Sequence, residues 1–121
     1  MEKISFEEYR KLIATIHPTD HNCPIKRTLE LFTGKWNLIV LYELTKADSL
    51  RFGNLQKRID GITNTMLSST LKDLEKKGFV IRTQFNEIPP HVEYALSESG
   101  KGLYTIFIEM ANWAEKYHST L

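Results

Sequence analysis

The chain has 121 residues, 41% of them hydrophobic and 26% charged, with a formal net charge of +1. That length and balance fit one ordinary globular domain and exclude a disordered or fibrous chain, while the single cysteine, Cys23, excludes an intrachain disulfide framework and fits a reducing compartment. The start, MEKISFEEYR, lacks the apolar core of a signal peptide, and the longest apolar run, LIVLYEL, is far too short to cross a bilayer. A cytoplasmic location with no membrane partner is therefore expected. Charge is unevenly spread: residues 50–85 carry seven basic and three acidic side chains, residues 86–121 two and five. Positive potential thus gathers in the middle of the chain, where a polyanion could use it.

Ser5 followed by Glu8 has the spacing of a capping box, and Tyr9, Leu12, Ile13 and Ile16 recur at helical spacing before Pro18. This predicts a first helix over about residues 6–16. In CPIKRTLELF, Pro24 suits a first helical turn, and Gly34 ends that short helix. KWNLIVLYELT is expected to form the next, burying Trp36, Leu38, Ile39 and Tyr42. Leu50 to Phe52 reads as a very short strand. Leu55 and Ile59, four apart, predict a short helix ended by Asp60 and Gly61.

Thr63 then caps NTMLSSTLKDLEKKG, closed by Gly78. Its apolar stripe is Leu67, Leu71 and Leu74, with Met66 beside it; the other side carries Asn64, Thr65, Ser68, Ser69, Lys72 and Lys76. After Gly78 the period changes to two-residue alternation. FVIRTQF and HVEYALS read as a hairpin around NEIPP, with Val80, Val92, Tyr94 and Leu96 on the covered face. Ser97 caps a long last helix over about residues 98–118, weakened at its start by Gly100 and Gly102.

The order helix, helix, tight turn, polar-faced helix, hairpin is that of a winged helix-turn-helix: mainly α with a small β-hairpin. The expected layout is a single domain over residues 1–121, with the helix-turn-helix at 52–77, the wing at 79–96, and terminal helices at 6–16 and 98–118. A helix enters the major groove when one face anchors it in the protein and the other offers hydrogen-bonding groups to base edges, and the segment from Asn64 has that division. Asn64 suits adenine. Thr63, Thr65, Ser68 and Ser69 suit bases or phosphate oxygens, and Lys57, Arg58, Lys72, Lys76 and Arg82 suit phosphate neutralisation. The hairpin tip at Asn86 and Glu87 carries no basic residue.

The chain resembles the HxlR-type family of bacterial winged helix-turn-helix regulators, related in fold to the MarR group. The resemblance is carried by CPI at 23–25, GKW at 34–36, RF at 51–52, Leu55, GI at 61–62, ML at 66–67, LKDLEKKGFVIR at 71–82, PPHVEYALSESG at 89–100 and Trp113. It implies a homodimer on an inverted repeat of double-stranded DNA, with the helix from Asn64 in the major groove and the hairpin on the flanking backbone. It also implies that Arg51 lies near phosphate. Thr65 stands where the family often has a basic residue, which bears on operator preference.

More apolar surface lies on the terminal helices than one small core needs. Tyr9, Leu12, Ile13 and Ile16 on the first, with Leu103, Ile106, Phe107, Met110, Trp113, Ala114 and Tyr117 on the last, are the expected dimer interface. Cys23 is a redox-sensing candidate: at a helix start, with Lys26, Arg27 and His21 near in sequence, a thiol is disposed to react with oxidants or electrophiles. Its bland alternative is a small buried hydrophobe. An aromatic effector held near Trp36, Phe107 and Trp113 is a further reading, each of these residues serving equally well as core.

No catalytic constellation is present, and no phosphate loop, nucleophile elbow or dinucleotide fingerprint. His17, His21 and Cys23, even with Asp20, make a poor zinc site, so no metal and no cofactor are expected. The competing reading is a winged-helix protein-interaction module without an operator of its own.

Overall fold

The computed structural model describes residues 3–16, 19 and 23–118. The chain divides into two compact units, residues 1–33 and 34–121. The first unit holds α1 (Phe6–Ala14) and α2 (Pro24–Leu31). Ser5 caps α1: its hydroxyl oxygen accepts the Glu8 backbone N–H at 3.1 Å and its hydroxyl donates to the Glu8 carboxylate at 3.2 Å. The helix ends two residues short of the expected 16. Thr15 turns its hydroxyl back onto the Leu12 carbonyl (2.8 Å), and the Ile16 N–H bonds Ile13 in a tighter i−3 turn. Pro24 occupies the first turn of α2, where a missing N–H costs nothing.

The second unit contains α3 (Asn37–Leu44), β1 (Leu50–Arg51), α4 (Phe52–Lys57), α5 (Asn64–Lys76), β2 (Val80–Phe85), β3 (His91–Leu96), α6 (Glu98–Gly102) and α7 (Tyr104–Tyr117). It is mainly helical, with one antiparallel sheet of order β1-β3-β2. The hairpin pairs Val80 with Leu96 through Phe85 with His91, and β1 adds Leu50 opposite Tyr94 and Arg51 opposite Glu93. The core is built from Val40, Leu41 and Leu44 of α3, Leu55 of α4, and Leu67, Leu71 and Leu74 of α5, closed by Val80 and Leu96 of the sheet.

Four further expectations change. α3 buries Val40, Leu41 and Leu44 with Asn37, whereas Leu38, Ile39 and Tyr42 are exposed and Trp36 is half-buried. Apolar residues occupy every side of this helix, so spacing alone does not tell which stripe faces inward. α4 ends at Lys57, and buried Ile59 lies past it in the turn toward Gly61. Of the four residues expected on the covered face of the hairpin, only Val80 and Leu96 are buried; Val92 and Tyr94, farther toward the tip, are half-buried. The single helix expected over 98–118 is two, broken at Leu103, whose N–H reaches Gly100 in an i−3 bond.

Candidate nucleic-acid interface

α5 is fixed at both ends by local chemistry. Thr63 is extended, and its hydroxyl oxygen accepts the Met66 N–H at 3.1 Å. At the other end Gly78 adopts φ 85°, the left-handed region that side chains avoid. That turn lets Phe79 donate to the Leu74 carbonyl and Gly78 to the Glu75 carbonyl, both at 3.0 Å, which is a Schellman closure. Between these caps Leu67, Leu71 and Leu74 are fully buried, so the opposite face is held outward.

That outer face carries the expected polar set. Asn64, Thr65, Ser69, Lys72 and Lys76 are exposed and Ser68 is half-buried. Asn64, Thr65, Ser68, Ser69 and Lys72 line one open hollow of about 600 Å³ together with Phe52 and Tyr94. A second hollow of about 280 Å³ joins Ser68, Leu71, Lys72, Glu75, Arg82 and Tyr94. Ser68, Lys72 and Tyr94 belong to both, so the two hollows adjoin where α5 meets the wing strands, with Arg82 lining the second.

The sheet register sorts the basic candidates. Arg82 and Leu50 both stand opposite Tyr94, on the face turned to α5. Arg51 stands opposite Glu93, and alternation along β3 puts that pair on the other face. There Glu93 accepts the Ser49 hydroxyl and lies 2.9 Å from His91 Nε2. The Ser49 hydrogen bond first, then His91 and the nearby charge of Arg51, hold the Glu93 carboxyl below its ordinary pKa. Arg51 therefore sits with an acid–histidine cluster and apart from the polar face of α5. Lys57 and Arg58, at the end of α4, and Lys76 are exposed and line neither hollow.

Tyr94 and Phe52 are the residues that sequence reading missed in this role. Alternation marked Tyr94 as facing inward, yet only the pairing with β1 and β2 shows that it borders the α5 surface. The arrangement offers amide, hydroxyl and ammonium groups to a polyanion. Among the described residues no three His, Cys, Asp or Glu side chains are grouped to hold a metal. His17, Asp20 and His21 lie outside the described residues. None of the described helices is long and apolar enough to cross a membrane.

Cys23 is buried, 6% exposed, and precedes α2 without a side-chain cap bond. Of the expected dimer residues, Leu103 is buried within its own chain and Tyr9, Ile13, Ile16, Phe107 and Ala114 are half-buried. Leu12, Ile106, Met110, Trp113 and Tyr117 are exposed. The aromatic candidates have separate neighbours: Phe107 meets Tyr42 edge-on at 5.6 Å, Trp113 lies 5.7 Å from Tyr117, and Trp36 lies under Lys35 at 4.8 Å.

Comparison with known proteins agrees with this architecture. Residues 31–121 match the HxlR-like helix-turn-helix family. The chain is 38% identical over 96 residues to the MalR protein of Fusobacterium mortiferum, covering 79% of this chain and 91% of that protein. A MarR-family structure from Porphyromonas gingivalis superposes with a TM-score of 0.76 at 33% identity, over 84% of this chain and 98% of that one. The reduced form of the transcriptional regulator YodB of Bacillus subtilis gives 0.72 at 31% identity, over 82% and 97%. The chain belongs to the HxlR-like helix-turn-helix family, whose members are DNA-binding regulators and not enzymes.

Proposed function

We propose that this regulator binds an inverted-repeat operator in double-stranded DNA as a homodimer, with α5 in the major groove and the β2–β3 wing on the flanking backbone. The observation that carries the reading is the two-faced α5: buried leucines on one side, and on the other Asn64, Thr65, Ser68, Ser69 and Lys72 gathered with Arg82 on one open surface. Bidentate amide contact to adenine suits Asn64, hydroxyl contacts suit Thr65 and Ser69, and phosphate neutralisation suits Lys72 and Arg82. Lys57, Arg58 and Lys76, exposed beyond the hollows, would add phosphate contacts, and Thr63 serves first as the cap.

In this reading residues 1–121 act as one module in the cytoplasm, where DNA is present. Exposed Leu12 on α1 and Ile106, Met110, Trp113 and Tyr117 on α7 are each covered by a second copy, which would set two α5 helices about one DNA turn apart, about 34 Å. YodB is known in reduced and diamide-treated forms. By that likeness Cys23 is the candidate through which an oxidant or small electrophile alters binding.

The test incubates reduced protein with sheared genomic DNA from its source at low and moderate salt and sequences the recovered fragments. Enrichment of a few promoter regions sharing an inverted repeat, with affinity falling steeply as salt rises, is expected. The same selection after complete modification of Cys23 reads the thiol response. Recovery without sequence preference would overturn the operator reading in favour of a protein-interaction module.

A further inference from the structure

At the tip of the β2–β3 hairpin, Ile88 is 101% exposed, its side chain fully open to solvent. Asn86, Glu87, Pro89 and Pro90 around it are exposed as well, and no lysine or arginine stands among them. Single exposed apolar residues are common on protein surfaces. Two features set this one apart, the bracing beneath it and its place relative to α5.

The bracing comes from the last pair of the ladder. Phe85 and His91 face each other across the strands and stack at 4.7 Å with their planes 10° apart. His91 Nε2 lies 2.9 Å from Glu93, and His91 Nδ1 lies 3.9 Å from the Glu87 carboxylate. The Glu87 side chain stays 68% exposed, so the braced tip presents the aliphatic Ile88 beside one carboxylate. As for placement, β2 leaves the α5 cap at Gly78 and passes the α5 polar face at Arg82. From Arg82 to Phe85 the strand advances about 10 Å at roughly 3.3 Å per residue, and the tip lies beyond. Half a turn of DNA, about 17 Å, separates a major groove from the next minor groove.

We propose that Ile88 is a specificity-determining residue of the wing, packing into the minor groove beside the half-site that α5 reads, against the sugars and a base step there. The inference rests on the operator reading above. Apolar side chains, isoleucine among them, act as wedges in minor grooves, and the step that yields most readily is a pyrimidine–purine step such as TA. A narrow A-tract groove, with its stronger negative potential, favours an inserted basic side chain and gives this tip no advantage. An aliphatic contact releases no counterion, so Ile88 contributes affinity without adding to the salt dependence.

The experiment uses a duplex of about 30 base pairs recovered in the genomic selection, in two versions whose half-site flank carries either a TA step or an A-tract, the length spanning about three helical turns. Wild type, Ile88→Ala, Ile88→Arg and Arg82→Ala are titrated on both across a salt series. Ile88→Ala is expected to lose about tenfold in affinity on the TA duplex. It should keep the wild-type salt slope and lose the preference between flanks. Ile88→Arg should steepen the slope by about 0.9 per half-site and turn the preference toward the A-tract. Because Ile88 is fully exposed, all three proteins with isoleucine or its replacements should melt together. Ile88→Ala binding like wild type on both duplexes, while Arg82→Ala weakens, would refute the role of Ile88 and leave the operator reading standing. A wild type that recovers no preferred duplex would remove both.

Discussion

Gly100→Ala and Gly102→Ala place the same methyl group two residues apart in α6, and the structure gives them opposite signs. A Cβ on Gly100 would stand 2.3 Å from the Phe79 carbonyl oxygen, 3.3 Å from its carbon and 3.1 Å from Leu96 Cδ2. The carbonyl is backbone and cannot rotate aside. It also accepts the Ser97 N–H at 3.0 Å, while the Ser97 and Ser99 hydroxyls donate to the neighbouring Gly78 carbonyl at 2.6 and 3.2 Å. Relief therefore means lifting α6 off the turn that closes α5. Overpacking costs about 1–3 kcal/mol and a lost hydrogen bond about 1 kcal/mol. Alanine's helical advantage over glycine returns about 0.5–1 kcal/mol. Gly100→Ala should thus destabilise by about 2 kcal/mol, the difference of those contributions. At Gly102 nothing lies within 4 Å of the added carbon. There the reduced freedom of the unfolded chain should stabilise by about 0.4–1 kcal/mol. Urea unfolding followed by circular dichroism, at one fixed protein concentration because association shifts apparent stability, measures both. A Gly100→Ala midpoint at or above wild type, or equal losses at both positions, would refute the close approach.

Removing the α5 cap with Thr63→Ala should cost about 1 kcal/mol, and Thr63→Ser should recover most of it, read from the same urea midpoints. For Glu93 the folded carboxyl titrates below its unfolded value, so its contribution is present above the unfolded pKa and disappears as pH falls through the lower folded one. Glu93→Gln should accordingly be less stable than wild type at neutral pH, and the gap should close as the medium is taken below the ordinary carboxylate range. Stability curves that stay parallel from pH 7 to about pH 3 would show that the Ser49 and His91 contacts do not favour the charged form.

What could be read from the sequence was what depends on near neighbours. Thr63 with Met66, and Gly78 with Glu75, are contacts within one helical turn, so the limits of α5 and its polar face follow from residue type and spacing. Ser5 and Ser97 are the same kind of signal: Ser97 accepts the Gly100 N–H at 3.2 Å. α3 was opaque for a physical reason. Helical periodicity identifies a buried stripe only by contrast with polar residues, and NLIVLYEL offers too little contrast. Its inward face was decided by α5 and the sheet packing against it. The break at Leu103 is hidden for another reason: in sequence Gly100 signals only weak helical propensity, whereas in the fold its lack of a side chain lets α6 sit on Phe79.

The candidate site shows the same division between local and distant causes. Each outward-facing polar residue of α5 is legible in the sequence, because cap and stripe fix the direction of every side chain in a helix. The strands are different: alternation gives two faces but does not say which face meets the helix. Both Arg51 and Arg82 were candidates for phosphate, and their sequences alone do not distinguish them. The ladder does, since Tyr94 stands between Leu50 and Arg82 while Glu93 stands between Arg51 and Thr83. One residue of register thus puts Arg82 beside Lys72 and Ser68 and puts Arg51 among Glu93, His91 and Ser49. The same alternation places His91 with Glu93, and so braces the hairpin from the face that α5 does not occupy. The wing is in this way built from two chemically distinct sides, one that carries Arg82 and joins α5, and one on which Glu93 and His91 pair beneath the tip.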